Sequence, residues 1–184
     1  MTGTSADLGL LALRLVFGLY LAGHGLQKFG LLGGPGPAAT AQAFERGGFR
    51  PGRPMAAVAG TLETGCGLAL AAGLAAPAAA ATAVGVMLVA CSLHVPNGLW
   101  ESRKGVELPV LFAAAALGLL FTGPGRISID HLAGLGVLDL RVTFLLLAVV
   151  VVGVAATLAR RAAQRRAATP PTSAGSREER PANS

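Results

Sequence analysis

Charge is scarce in this chain of 184 residues: 13% are Asp, Glu, Lys or Arg, where a soluble domain carries about 25%. Acidic residues are the scarcest, nine against fifteen basic ones. Only two cysteines occur, Cys66 and Cys91, and no CxxC. That excludes a disulfide framework and the usual thiol-exchange centre. The three histidines stand without HxxxH or HxxE spacing, so no metal site is expected. Flavin and haem motifs are missing too. The run Gly33-Gly-Pro-Gly36 is short, broken by proline and not set between a strand and a helix, which rules out a phosphate loop. Inverted repeats, the mark of many carriers, are not detectable.

Apolar residues fill the space: 53% of the chain, with a mean hydropathy of +0.61. They come in blocks too long for a soluble core of this size. Five blocks are expected to cross a bilayer as helices: Leu8–Gly25, Pro54–Leu74, Ala78–Val95, Val106–Thr122 and Val142–Ala159. The fold class is therefore an all-α membrane protein, a four-helix transmembrane bundle plus a fifth C-terminal transmembrane helix. Residues 8–132 form the core, 133–159 the added helix, and 160–184 a basic, disordered tail. Met1–Asp7 has no basic residue, and polar His24 and Lys28 follow the first block, so a cleaved signal is not expected. Ala75-Ala76-Pro77 joins spans two and three as a tight hairpin, with Pro77 suited to a helix start. Ala38–Arg46 reads as a short interfacial helix with Phe44 dipping into lipid.

Lys28, Arg46, Arg50 and Arg53 follow span one, Arg103 and Lys104 follow span three, and Arg160, Arg161, Arg165, Arg166, Arg177 and Arg180 follow span five. In a five-span chain these regions share one side. Only Arg14, Arg126 and Arg141 fall elsewhere. The positive-inside rule then places the N-terminus outside and the C-terminus in the cytoplasm. The pI near 10.7 reflects that topology and requires no nucleic-acid partner. The lipid bilayer is the expected partner, and Arg160–Arg166 can sit on anionic headgroups.

Against this background a few polar residues stand out. Glu63 lies roughly 14 Å along its helix from Pro54, near mid-membrane, where an ionisable group is costly unless paired, solvated or used. Gly60, Thr64, Gly65 and Gly67 flank it and allow close helix approach, so Glu63 is expected to face the bundle. It is either a protonated structural hydrogen-bonder or part of a ligand or proton site. Arg14 either snorkels to the outer headgroups or reaches Glu63 across about 5 to 10 Å. Tyr20, His24, Gln27 and Lys28 share one face of span one. Met87, Cys91 and His94 form a stripe on span three, followed by Pro96 and Asn97, and Glu107 opens span four at the same level. Pro96 cannot donate a backbone hydrogen bond, so the Ser92 carbonyl is free to accept elsewhere. Interfacial hydrogen bonding is the bland reading of the two histidines, and Tyr20 and Trp100 are ordinary belt aromatics on the same view.

Several of these residues recur in a known pattern. Gly23-His-Gly-Leu-Gln-Lys28-Phe29, the Gly33–Gly36 turn, Phe44-Glu45, Glu63, His94-Val-Pro-Asn-Gly98, Gly105-Val-Glu107-Leu-Pro109 and Gly123-Pro-Gly-Arg-Ile-Ser-Ile-Asp130 resemble, in that order, the DoxX family of bacterial membrane proteins. The resemblance covers about Leu10 to Leu132. It implies a compact four-helix core in the bacterial inner membrane. The related DoxD branch is a subunit of a thiosulfate:quinone oxidoreductase, and the wider group is associated with membrane redox assemblies. The chain departs from the pattern at Leu108 and Ile127, where aromatics are usual, and in lacking a basic residue at Ala75-Ala76-Pro77.

The expectation for function is therefore a subunit of a sulfur-, thiol- or quinone-linked redox assembly with a redox-protein partner and no intrinsic cofactor. Quinone is the candidate ligand. Its site would draw on Glu63, His24, His94, Arg14, Tyr20, Lys28, Asn97 and Glu107, with histidines or Tyr20 as donors and Glu63 or Glu107 as proton carrier. The alternatives are a scaffold docking a soluble partner through the fifth span and tail, and a small-molecule carrier coupled through Glu63.

Overall fold

In the computed structural model, which describes residues 2–135 and 137–168, the apolar blocks are helices and no strand occurs among the described residues. The order is α1 (Thr2–Lys28), α2 (Gly36–Arg46), α3 (Gly52–Ala72), α4 (Ala76–His94), α5 (Glu107–Thr122), α6 (Ile129–Leu132) and α7 (Leu140–Ala168). Four helices, α1, α3, α4 and α7, are long and apolar enough to cross a membrane. The fourth expected span, α5, has 16 residues, roughly 24 Å against a hydrocarbon core of about 30 Å.

The core is a bundle in which α1 packs on α3, α3 on α4, α4 on α5, and α5 closes back on α1. Its buried centre joins Phe17 and Leu21 of α1, Leu70 of α3, Ala80, Ala83 and Met87 of α4, and Phe112, Ala116 and Leu119 of α5. The α1–α3 seam is built from small residues. A β-carbon placed at Gly18 would lie 2.5 Å from the Gly67 carbonyl, and one placed at Gly67 would lie 2.5 Å from the Ala22 nitrogen. Only glycine lets the two backbones meet there. This is the close approach that the small residues around Glu63 predicted.

Ala72 ends α3 and Ala76 begins α4, with Pro77 in the first turn, so the expected tight hairpin is present. Ala75 turns the corner at φ 45°, a left-handed conformation uncommon outside glycine. It is held there by Asp130, whose carboxylate accepts from the backbone nitrogens of Ala75 (2.7 Å) and Ala76 (2.8 Å). Phe44 of α2 packs against Phe49, ring centroids 5.8 Å apart.

Helix α7 lies outside the bundle against α4, with a few contacts to α5, and keeps most of its apolar surface outward. It continues unbroken through Ala168. Residues 160–168, assigned by composition to a disordered tail, are thus helical, and residues 169–184 lie outside the described residues. The reason is Arg161, which is buried rather than turned to headgroups. Its Nε donates to Gly47 O (2.6 Å), one terminal nitrogen donates to Ser92 O (2.9 Å) and Oγ (2.8 Å), and the guanidinium sits 4.8 Å from the Phe49 ring centroid. The acceptor is the carbonyl that Pro96 was expected to leave free. Gln164 adds a two-way pair with the Arg50 backbone (3.1 and 2.7 Å).

Candidate functional site

Where α1, α3, α4 and α5 converge, near the end of the bundle that carries most of the arginines, they enclose a small pocket of about 100 Å³. Helix α1 contributes Leu21, His24 and Lys28, α3 contributes Glu63, α4 contributes Met87, Ala90 and His94, and α5 contributes Leu108, Pro109 and Phe112. Three of the four helices bring an ionisable or imidazole group, and α5 supplies the apolar wall.

Glu63 is 3% exposed and points into the bundle. Its partner is Lys28: Nζ lies 2.5 Å from Oε2. Among the described residues this is the one salt bridge. Lys28 Nζ also reaches its own helix's His24 carbonyl at 3.4 Å, which keeps the ammonium over the end of α1. Lys28 retains about a fifth of its side-chain exposure (21%), so the pair is buried on the carboxylate side and open toward the basic end.

His24 stands edge-on to Phe112, 5.7 Å between centroids. His94 closes the pocket from α4, and its Nδ1 lies 2.7 Å from the Lys104 carbonyl. A carbonyl only accepts, so Nδ1 carries the proton and Nε2 of the neutral ring is an acceptor. Asn97 Nδ2 donates to the same carbonyl (3.0 Å), and Glu107 Oε2 accepts from the Glu101 backbone nitrogen (2.8 Å). These two residues therefore fold the loop between α4 and α5, which in turn fixes His94. They do not line the pocket.

Of the residues singled out from sequence, the structure brings Glu63, Lys28, His24 and His94 together. It does not bring Tyr20 or Arg14 to them. Tyr20 is 67% exposed on the outer face of α1. Positions four apart drift by about 40° per step on a helix of 3.6 residues per turn, so Tyr20 and Lys28 are about 80° apart. Arg14 neither snorkels nor meets Glu63. It is buried near the opposite end, where a terminal nitrogen donates to the Ile127 carbonyl and Asp130 is its electrostatic partner. Its Nε and other terminal nitrogen are buried without a hydrogen-bond partner.

The apolar wall of Leu108, Pro109 and Phe112 escaped reading by chemistry, since such residues look the same in a core and in a pocket. The signal was their adjacency to Glu107 at the start of α5. Asp130 was likewise visible only as the end of the Gly123–Asp130 segment. No group of three or more His, Cys, Asp or Glu side chains able to hold a metal occurs among the described residues.

Neither a curated protein nor a solved structure matches the chain. Residues 9–97, which span α1 to the turn after α4 and carry Lys28, Glu63, His24 and His94, match the model of the family described as DoxX. Residues 9–97 thus place this part of the chain in the DoxX family, and the apolar helices and all-α architecture make the chain a multi-pass membrane protein.

Proposed function

We propose that the pocket between Lys28–Glu63 and the two histidines is a ligand site for the headgroup of a quinone or a similar small hydrogen-bonding molecule, and that the chain serves as a membrane subunit of a redox assembly. The observation that carries this reading is a buried ion pair that opens into a cavity with apolar walls. A buried ion pair is by itself weak evidence of a stabilising role.

The residues fit such a group. Lys28 Nζ is a donor suited to a quinone carbonyl, the Nε2 acceptor of His94 suits a hydroxyl of the reduced quinol form, and Phe112 and Leu108 supply apolar contact. The volume of about 100 Å³ lies below the roughly 300–1,000 Å³ of pockets for drug-sized ligands. It therefore takes a headgroup and leaves any tail between helices. A bound quinone would supply two-electron, two-proton chemistry. The chain's own residues would bind and orient the headgroup, and the proton held between Lys28 Nζ and Glu63 Oε2 would lie beside it at the pocket. Electrons and a redox centre come from a partner. On the distribution of arginine and lysine, that end faces the bacterial cytoplasm and the N-terminus faces outward.

The test is co-extraction. Protein purified in mild detergent should carry quinone detectable by mass spectrometry near one per chain, and folded Glu63→Gln and His94→Ala variants should lose most of it. Wild type without quinone above the lipid background would overturn the ligand site and leave a scaffold, with α7 docked on the core as its partner-facing element.

A further inference from the structure

A second cleft, of about 360 Å³, opens on the basic end of the molecule between the α2 end and the last turns of α7. Its walls are Glu45, Arg46, Gly48, Arg50, Gln164 and Arg165. Three guanidinium groups thus face one carboxylate. That carboxylate is already engaged, with Glu45 Oε1 accepting from the Gly52 backbone nitrogen at 3.1 Å. Arg165 is laid flat over Gly48, where an added β-carbon would lie 2.3 Å from its Nε, and it donates to Gly47 O at 2.7 Å. The cleft is therefore preformed on one side. Arg46 and Arg50, both exposed, form no salt bridge within the described residues.

Depth narrows the ligand. The apolar run of α7 ends at Ala159, and Arg165 lies six residues on, roughly 9 Å along the axis. The polar headgroup layer on each face of a bilayer is about 5–8 Å thick. The guanidiniums of this cleft sit at the outer edge of that layer, beside a helix whose apolar flank stands in lipid.

We infer that the cleft formed by Arg46, Arg50 and Arg165 between α2 and α7 binds the phosphate headgroup of an anionic phospholipid, with its acyl chains lying along α7. The site is completed only when α7 docks, because α2 and its following loop supply two of the arginines and α7 the third. A bound lipid then acts with Arg161 and Gln164 to hold the added helix on the core.

Native mass spectrometry of the full chain in detergent tests this, with phosphatidylglycerol and phosphatidylcholine of the same acyl chains added in parallel, and inorganic phosphate as the lipid-free anion. One phosphatidylglycerol should be retained per chain in preference to phosphatidylcholine. The doubly substituted Arg46→Gln, Arg50→Gln protein should lose about thirtyfold in that preference, while Arg103→Gln, outside the cleft, keeps it. Equal retention of both lipids, or full preference in the double variant, would overturn the site. Inorganic phosphate displacing the lipid at equal concentration would reassign it to a free anion. Helicity measured by circular dichroism confirms that the double variant is folded, and Arg46→Gln alone, with a smaller loss, serves if it is not.

Discussion

The bundle buries a cation near each end, and the two are treated differently. Lys28 meets a carboxylate, Glu63, beside a cavity and keeps some exposure to the basic end. Arg14 is 1% exposed, meets a backbone carbonyl, and feels the charge of Asp130 while that carboxylate is occupied capping α4. One end brings ionisable side chains together around space, and the other brings them together around the backbone. The first arrangement leaves room beside the charged pair, which is the basis of the proposed ligand site. The second fixes a corner: Arg14 and Asp130 tie the Gly123–Asp130 segment to the hairpin between α3 and α4, and the Asp130 backbone nitrogen donates to Gly73 O (2.9 Å). Only the first of the two buried charges borders a cavity.

The comparison can be broken most easily at the closed end. Asp130→Ala removes the acceptor of two backbone nitrogens and leaves Arg14 uncompensated. A loss of about 3–5 kcal/mol is expected, read as a large fall in the thermal unfolding midpoint in detergent. A loss near that of a surface substitution would show that the two ends do not differ as described. At the open end the expected effect is smaller. Lys28→Met strands the Glu63 carboxylate and should cost about 2 kcal/mol, less than a fully enclosed pair because Lys28 is partly solvated. Adding Glu63→Gln to it should restore stability without restoring ligand binding. Failure of the second substitution to recover any stability would mean that the Lys28 stem, and not the pair, matters. The smallest effect belongs to Tyr20→Phe, which should stay within about 0.5 kcal/mol and leave co-extracted ligand unchanged. A loss of ligand there would bring the outer face of α1 into the site.

Much of this was legible in the sequence. Block lengths gave the helices, Ala75-Ala76-Pro77 the hairpin, and Gly60–Gly67 the close seam, because each rests on a local rule. Glu63 was legible from depth alone, since a carboxylate so placed needs a reason. Its partner was not, because Lys28 and Arg14 are both long enough to reach it and the choice depends on how α1 slides along α3. The glycine seam sets that register, with Gly25 opposite Gly60 and Thr64. The inward turn of Arg161 was hidden for a similar reason. Six basic residues after span five look alike in composition, and only the position of the Ser92 carbonyl in space selects one.

That carbonyl has a wider consequence. Arg161 grips the core through Gly47 O, Ser92 O and Ser92 Oγ, so two of its three acceptors are main-chain atoms. Side chains around such a socket can drift while the socket persists, provided that Pro96 keeps the acceptor vacant and the loop holds Gly47 in place. Arg161 therefore anchors α7 through main-chain acceptors, beside the Gln164 pair with the Arg50 backbone and the packing of Val150 over Gly85. The pocket between α1, α3, α4 and α5 has no wall residue from α7, so a change in its chemistry leaves this main-chain socket in place.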